Sequence, residues 1–373
     1  MHLHMEQAVA GRRHALEGPQ TGLTEILATL QIPFNGSTRQ DWESILNLWT
    51  RCAEKAVEDS PGVVVSRRLS WKPRRRVHAS IANTAAKEDY EGRYWDDVID
   101  VLRSGASVFK LDPDAILLRS PVERLRRSGA DIVACPDCAF ELDARETARR
   151  RHIHGSNYKG STLCQSGWQL QGSARTFKED WQRTGFHLCT GSAYFRPTQR
   201  VIRLLEEARA WQSRSTRFIG RVANEQLVLL QTLGVHNCTW STPAGVPLSP
   251  AHASLRLFRS LEGSTSALAE KLLSEEEDRE RYSIVGSCDD GLRVEVLSYG
   301  LCPRTPLEKV NMRWVKDTPS RKREQRGPIV FHPGGSLASK THRLRDVLKP
   351  LWETIGCGAW LQQVGVTNHA ISP

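Results

Sequence analysis

A short apolar run, Ser107-Val108-Phe109-Lys110-Leu111, passes without a break into Asp112-Pro113-Asp114. Bounded by a glycine turn on one side and carboxylates on the other, such a run reads as a buried strand. The spacing predicts a helix before it, over about Lys87–Arg103, with Tyr94, Trp95, Val98, Ile99, Val101 and Leu102 as its apolar residues. Ser104-Gly105 stops that helix, glycine being the residue a left-handed cap prefers. After Ala115–Leu118, Pro121 opens a further helix as a first-turn proline, and Ala130–Cys135 reads as another short strand. Helix, strand, turn, helix, strand: this alternation points to an α/β layered domain.

The rest of the chain extends the pattern. Trp42, Ile45, Leu46, Trp49, Cys52 and Ala53 recur at helical spacing and predict an amphipathic helix over Asp41–Val57. Gly62–Val65 reads as a short strand, and the basic stretch Ser66–Ser80, interrupted by Pro73, as a surface loop. Phe186–Phe195 is strand-like around Gly191, and helices are expected after Pro197 and over Asn224–Gly234. An exposed acidic helix is expected near Glu275–Arg281, strands at Leu292–Tyr299 and Ile329–Phe331, and a charged loop at Ser320–Arg326. Residues 139–183 show no sustained period and read as a long loop region. Residues 1–40 carry little pattern and read as a loose lead-in. No internal repeat is present. The expected organisation is an amino-terminal lead-in with one helix over 1–60, a single domain over 61–350, and a tail over 351–373.

Composition narrows the function classes. The 373 residues are 39% hydrophobic and 25% charged, enough apolar material for a sizeable core and unlike a disordered chain. The net charge of +10 favours an anionic partner: nucleic acid, phosphate groups, a nucleotide sugar or a membrane surface. Nine cysteines are too sparse for a disulfide scaffold. The longest stretch without charged side chains, Gln226–Leu255, contains Pro243, Pro247 and Pro250, so no membrane span is expected. The opening MHLHMEQAVAGRRH lacks an apolar core, so no signal peptide or anchor is read there.

Asp112 and Asp114 are the sharpest chemical feature. Two carboxylates one residue apart at the carboxyl end of a strand can address a divalent cation and its ligand together. The plain alternative is turn chemistry. Context favours the first. The run Tyr94–Pro121, with helix, glycine turn, apolar strand, D-x-D and closing proline, resembles the heart of nucleotide-diphospho-sugar transferases. The nearest likeness is to the group related to glycosyltransferase family 77, with family 8 more distant; both have the GT-A fold. Ala130–Cys138, Gly185–Thr198, Asn224–Leu233 and Ile329–Asp346 resemble further segments of that group, in the family's order.

The resemblance implies a GT-A-like domain with a central, mostly parallel sheet flanked by helices. It implies Mn2+ or Mg2+ held by Asp112, Asp114 and His332, with Asp112 also touching the donor. Gly334 and Gly335 would let the backbone approach the diphosphate, and Lys340 would pair with it. Asp137 would face the donor sugar, Thr190 and Gly191 would shape its pocket, and Glu225 and Gln226 would face donor or acceptor hydroxyls. The implied reaction is transfer from a nucleotide diphosphate sugar, a UDP-sugar by preference, to a glycan or glycoprotein hydroxyl with retention, in the Golgi or secretory lumen. Against the family pattern, Pro113 is an unusual middle residue, Cys189 stands where Asn is usual, and Asn224-Glu225-Gln226 replaces a more acidic triplet. Only Gly62–Val65 offers a strand ahead of Asp112, where the fold has several.

Two rival readings are an inactive binder of nucleotide sugars or glycans on the same fold, and a basic nucleic-acid-binding protein. No nucleic-acid-binding module accompanies Arg74–Arg76, Arg149–Arg151 or Arg321–Arg326, which read as solvated loops. Cys135 and Cys138 have CxxC spacing without a second pair and read as a reduced pair at a strand end. His152 and His154 read as part of a basic loop, and His2 and His4 carry no weight. Trp42, Trp49, Trp95 and Trp211 read as core, while Trp168, Trp181 and Trp240 could stack on sugars. Asn35-Gly36-Ser37 and Asn237-Cys238-Thr239 match glycosylation acceptors, at a frequency chance would produce.

Overall fold

The structure, a computed structural model, describes residues 24–33, 46–47, 49–72, 93–113, 115–139, 175–219, 225–262, 282–298, 301–302 and 329–332. Asp114, Gly334, Gly335, Lys340, Asn35, Trp42, Trp168, His2, His4, His152, His154, the three arginine clusters, the helix expected near Glu275–Arg281, the loop at Ser320–Arg326 and the tail lie outside the described residues.

Ten strands are described: β1 (Thr24–Pro33), β2 (Val63–Lys72), β3 (Ser107–Leu111), β4 (Ile116–Leu117), β5 (Ile132–Ala139), β6 (Phe186–Phe195), β7 (Thr239–Ser241), β8 (Ile284–Ser287), β9 (Arg293–Val296) and β10 (Val330–Phe331). The helices are α1 over 49–56, α2 (Arg93–Arg103), α3 (Val122–Ser128), α4 (Phe177–Thr184), α5 (Gln199–Ile219), α6 (Glu225–Val235) and α7 (Pro250–Glu262). Eight strands form one sheet in the order β2-β1-β3-β6-β5-β9-β8-β7. Only β6 and β8 run against the common direction, so the α/β sheet is mostly parallel, as expected.

Alternate residues of the same strands feed two cores, as a pleated sheet requires. Leu27, Val108, Ile132, Ala134 and Phe195 pack with Trp95, Val98 and Leu102 of α2 and with apolar residues of α5 and α6. Ile26, Phe109, Leu111, Val133 and Tyr194 pack on the other face with Trp49 of α1. Trp49, Trp95 and Trp211 are buried as expected. Trp181 is buried too, and the half-buried Trp240 stands edge-on to Phe186 at 4.8 Å, so both pack against the core.

The amino-terminal part differs from the sequence expectation. β1 lies within residues read as a lead-in, yet it is an interior strand between β2 and β3. Ile26 and Leu27 are both 0% exposed. A strand buried on both faces loses the alternation by which strands are recognised. β2 runs on to Lys72 and pairs with β1 along its whole length, so the first part of the supposed basic loop is strand. Its exposed Arg67 lies on an edge strand, where charge deters further pairing. Within the stretch read as loop, α4 starts at a capping box in which Thr176 and Glu179 satisfy each other's backbone.

Two disulfides are described, Cys135–Cys302 and Cys238–Cys288. Cys135 is therefore oxidised against a cysteine 167 residues away, not reduced beside Cys138. Cys52 and Cys189 are buried and take no part in a disulfide. No described helix is long and apolar enough to cross a membrane.

Beside the second disulfide, Asp180, Arg183, His187, Leu230, Gly234 and Trp240 line a small cavity of about 20 Å³. Burial pushes the Asp180 carboxyl up to about 6, against the pull of Arg175 and Arg183. Burial also pulls the His187 imidazole down to about 4. The two act oppositely. As pH falls from 6.5 to 4, the unfolded chain protonates at His187 before the folded one and stability is lost. Over nearly the same window folded Asp180 takes up a proton that the unfolded chain does not, and stability is gained. Each amounts to about 3 kcal/mol, at about 1.4 kcal/mol per pH unit. Their combined contribution should therefore be nearly flat from pH 6.5 to 4, whereas Asp180→Asn should make stability fall with acid. Urea unfolding across that range checks both; an Asp180→Asn pH profile parallel to wild type refutes the balance.

Candidate active site

The site forms where β3 ends. The Asp112 backbone N–H donates to the Gly191 carbonyl at 2.8 Å, and its own carbonyl accepts from Ala115 N–H at 2.8 Å. The chain thus turns tightly at Pro113 while remaining tied to β6. β4 follows at once and pairs antiparallel with β10, Ile116 opposite Phe331 and Leu117 opposite Val330. His332 comes immediately after β10 and so arrives beside Asp112. Behind it, Ile329 N–H donates to Leu301 O at 2.7 Å, next to the Cys302 end of a disulfide whose other end is on β5.

The side chains converge accordingly. His332 Nε2 lies 3.6 Å from Asp112 Oδ2, and its Nδ1 lies 3.4 Å from Cys189 Sγ. The other Asp112 oxygen, Oδ1, pairs with the Lys110 ammonium, whose side chain is 0% exposed. Glu225, at the start of α6, faces the same charges. Burial raises its carboxyl above the ordinary value; Lys110 opposes the rise and Asp112 adds to it. Its neighbour Gln226 donates through Nε2 to Asp137 Oδ2, tying α6 to β5. Thr190 is buried at 2% exposure. Gly191 has no side chain where one would collide with both Asp112 and His332: an added Cβ would lie 2.6 Å from Asp112 Cγ and 2.6 Å from His332 Cε1.

Of the residues expected from sequence, Asp112, Gly191, Glu225 and His332 are thus brought to one place, and Asp137 and Gln226 are joined to each other beside it. Asp114, Gly334, Gly335 and Lys340 lie outside the described residues. Lys110 was missed, though a lone charge in an otherwise apolar strand was the available signal. Cys189 was visible only as a departure from a pattern.

Residues 96–241 match the family model described as nucleotide-diphospho-sugar transferase. Over that span the chain is similar to the nucleotide-diphospho-sugar transferases. The span holds Lys110, Asp112, Asp137, Cys189, Gly191, Glu225 and Gln226, while His332 joins the site from beyond it. The match does not distinguish families 77 and 8.

Among solved structures, mouse xyloside xylosyltransferase 1 without ligand is 9% identical, covering 83% of this chain and 97% of that one at a TM-score of 0.33. The WbbM bifunctional glycosyltransferase is 11% identical, covering 90% of this chain and 51% of that one at 0.31. The galactosyltransferase LgtC, with donor and acceptor sugar analogues, is 13% identical, covering 69% of this chain and 82% of that one at 0.28. Likenesses this distant carry no argument. No curated protein matches the chain.

Proposed function

We propose that this chain transfers a sugar from a UDP-sugar to a glycan or glycoprotein hydroxyl, with retention, using Mn2+ or Mg2+ held by Asp112, Asp114 and His332. The observation that carries the reading is the convergence of Asp112 Oδ2 and His332 Nε2, 3.6 Å apart, at the carboxyl end of β3. A carboxylate oxygen and an imidazole nitrogen form a donor pair suited to Mn2+. No three His, Cys, Asp or Glu side chains gather at a metal-like centre among the described residues. Further donors must come from elsewhere: Asp114, one residue beyond Pro113, and the donor's phosphate oxygens.

When bound, the cation would neutralise charge growing on the leaving diphosphate, where electrostatic stabilisation counts most. Lys110 holds Asp112 by its inner oxygen, leaving Oδ2 toward the ligand. Glu225 and the Gln226–Asp137 pair offer the hydrogen-bonding groups for sugar hydroxyls. Gly191 lets Asp112 and His332 close together against β6. In same-face attack the leaving phosphate takes the acceptor's proton, so no separate base is assigned. Two disulfides support an oxidising compartment such as the secretory lumen.

The test is turnover of a panel of nucleotide sugars with Mn2+. Asp114→Asn and His332→Ala should each lower kcat by about 10²–10³-fold, the scale of losing one transition-state contact. Transfer unaffected by either substitution overturns the residue assignments. Donor binding without any transfer selects an inactive binder.

A further inference from the structure

We propose that Cys189 is a positioning residue for His332, holding the imidazole so that Nε2 faces Asp112 and the incoming cation. The proposal rests on the reading of His332 as a ligand of that cation. Cys189 Sγ lies 3.4 Å from Nδ1, on the ring edge opposite the one that faces Asp112. Cys189 is 1% exposed and His332 4%, so bulk water does not supply an alternative hydrogen-bonding shell.

A thiol is both a weak donor and a weak acceptor. That suits a ring that must change tautomer. In either tautomer the sulfur can partner Nδ1, donating to its lone pair or accepting from its N–H. If Nε2 held the cation, the proton would reside on Nδ1 and the sulfur would accept a hydrogen bond from it. A metal-ligating histidine usually donates its second N–H to an outer group that fixes its tautomer and orientation. Cys189 fills that place from β6, two residues before Gly191, so one short segment sets both the orientation of His332 and the space in front of it.

Two measurements on the whole protein test this. Titration with Mn2+ by calorimetry should show Cys189→Ala binding about 10–100-fold more weakly than wild type, and Cys189→Ser within a few-fold of it, at unchanged thermal midpoints. Ring 15N shifts of His332, assigned with His332→Gln, should show an altered tautomer population in metal-free Cys189→Ala and a near-native one in Cys189→Ser. Unchanged affinity together with unchanged ring shifts in Cys189→Ala overturns the proposal. So does a loss in Cys189→Ala that Cys189→Ser fails to restore, since that marks packing alone. If wild type binds no Mn2+, the metal reading fails. The ring shifts then decide alone: altered shifts retain Cys189 as the group that orients His332, and unaltered shifts dismiss it.

Discussion

Gly191→Ala should lower kcat/KM by about 10²-fold or more while leaving the chain folded. Gly191 is not among the positive-φ glycines, so an L residue can adopt its backbone. What forbids alanine is space: the new Cβ would lie 2.6 Å from Asp112 Cγ and 2.6 Å from His332 Cε1, closer than real carbon contacts allow. Neither neighbour can yield freely. Asp112 is tied by its backbone to the Gly191 carbonyl at 2.8 Å and by Oδ1 to Lys110. The His332 ring is buried with Nδ1 against Cys189. The methyl must therefore push apart the two groups that converge on the proposed cation. A displacement of about 1 Å at a reacting centre can cost about 10²-fold. Stability should fall by only about 1–3 kcal/mol, the usual cost of an overpacked methyl. Because both changes damage one centre, Gly191→Ala in a His332→Ala background should lose far less than it does alone. Wild-type kcat/KM and Mn2+ affinity in the single variant would sink the argument.

What could be read from the residues follows the range of the physics involved. α2, the glycine turn and β3 are neighbours along the chain, and their periodicities announce them, so the strand that delivers Asp112 was legible. β6 was legible for the same reason, and His332 through an ordered set of short resemblances. β1 was hidden because Ile26 and Leu27 are both buried, which removes the alternation. β2 was cut short by its arginines, although an edge strand tolerates them. The partner of Cys135 could not be read, because the nearest cysteine along the chain is Cys138 while the nearest in the fold is Cys302. The meeting of Lys110 with Glu225 likewise depends on α6 starting at the end of β3.

That meeting sets the other large effect. Lys110→Met should destabilise the protein by about 3–5 kcal/mol near neutral pH, the scale of breaking a buried ion pair by removing one partner. Methionine matches the lysine stem in length and flexibility, so the substitution removes charge more than volume. The Lys110 side chain is 0% exposed and its ammonium pairs with Asp112 Oδ1. Without it, Asp112 and Glu225 face one another with no cation from β3. Glu225 already stands above the ordinary carboxyl value through burial, and Lys110 is what restrains the rise. Its removal pushes Glu225 higher, so the folded variant holds a proton that the unfolded chain releases. The sign follows: a carboxyl raised in the folded state makes stability fall as pH climbs from the ordinary glutamate range through the folded value. The variant's deficit should accordingly be smaller at pH 5 than at pH 7.5, where Glu225 is driven toward ionisation. Urea unfolding of wild type and Lys110→Met at these two pH values measures it. A deficit independent of pH would show that Lys110 acts through packing rather than charge, and a variant as stable as wild type at pH 7.5 would remove Lys110 from the site altogether.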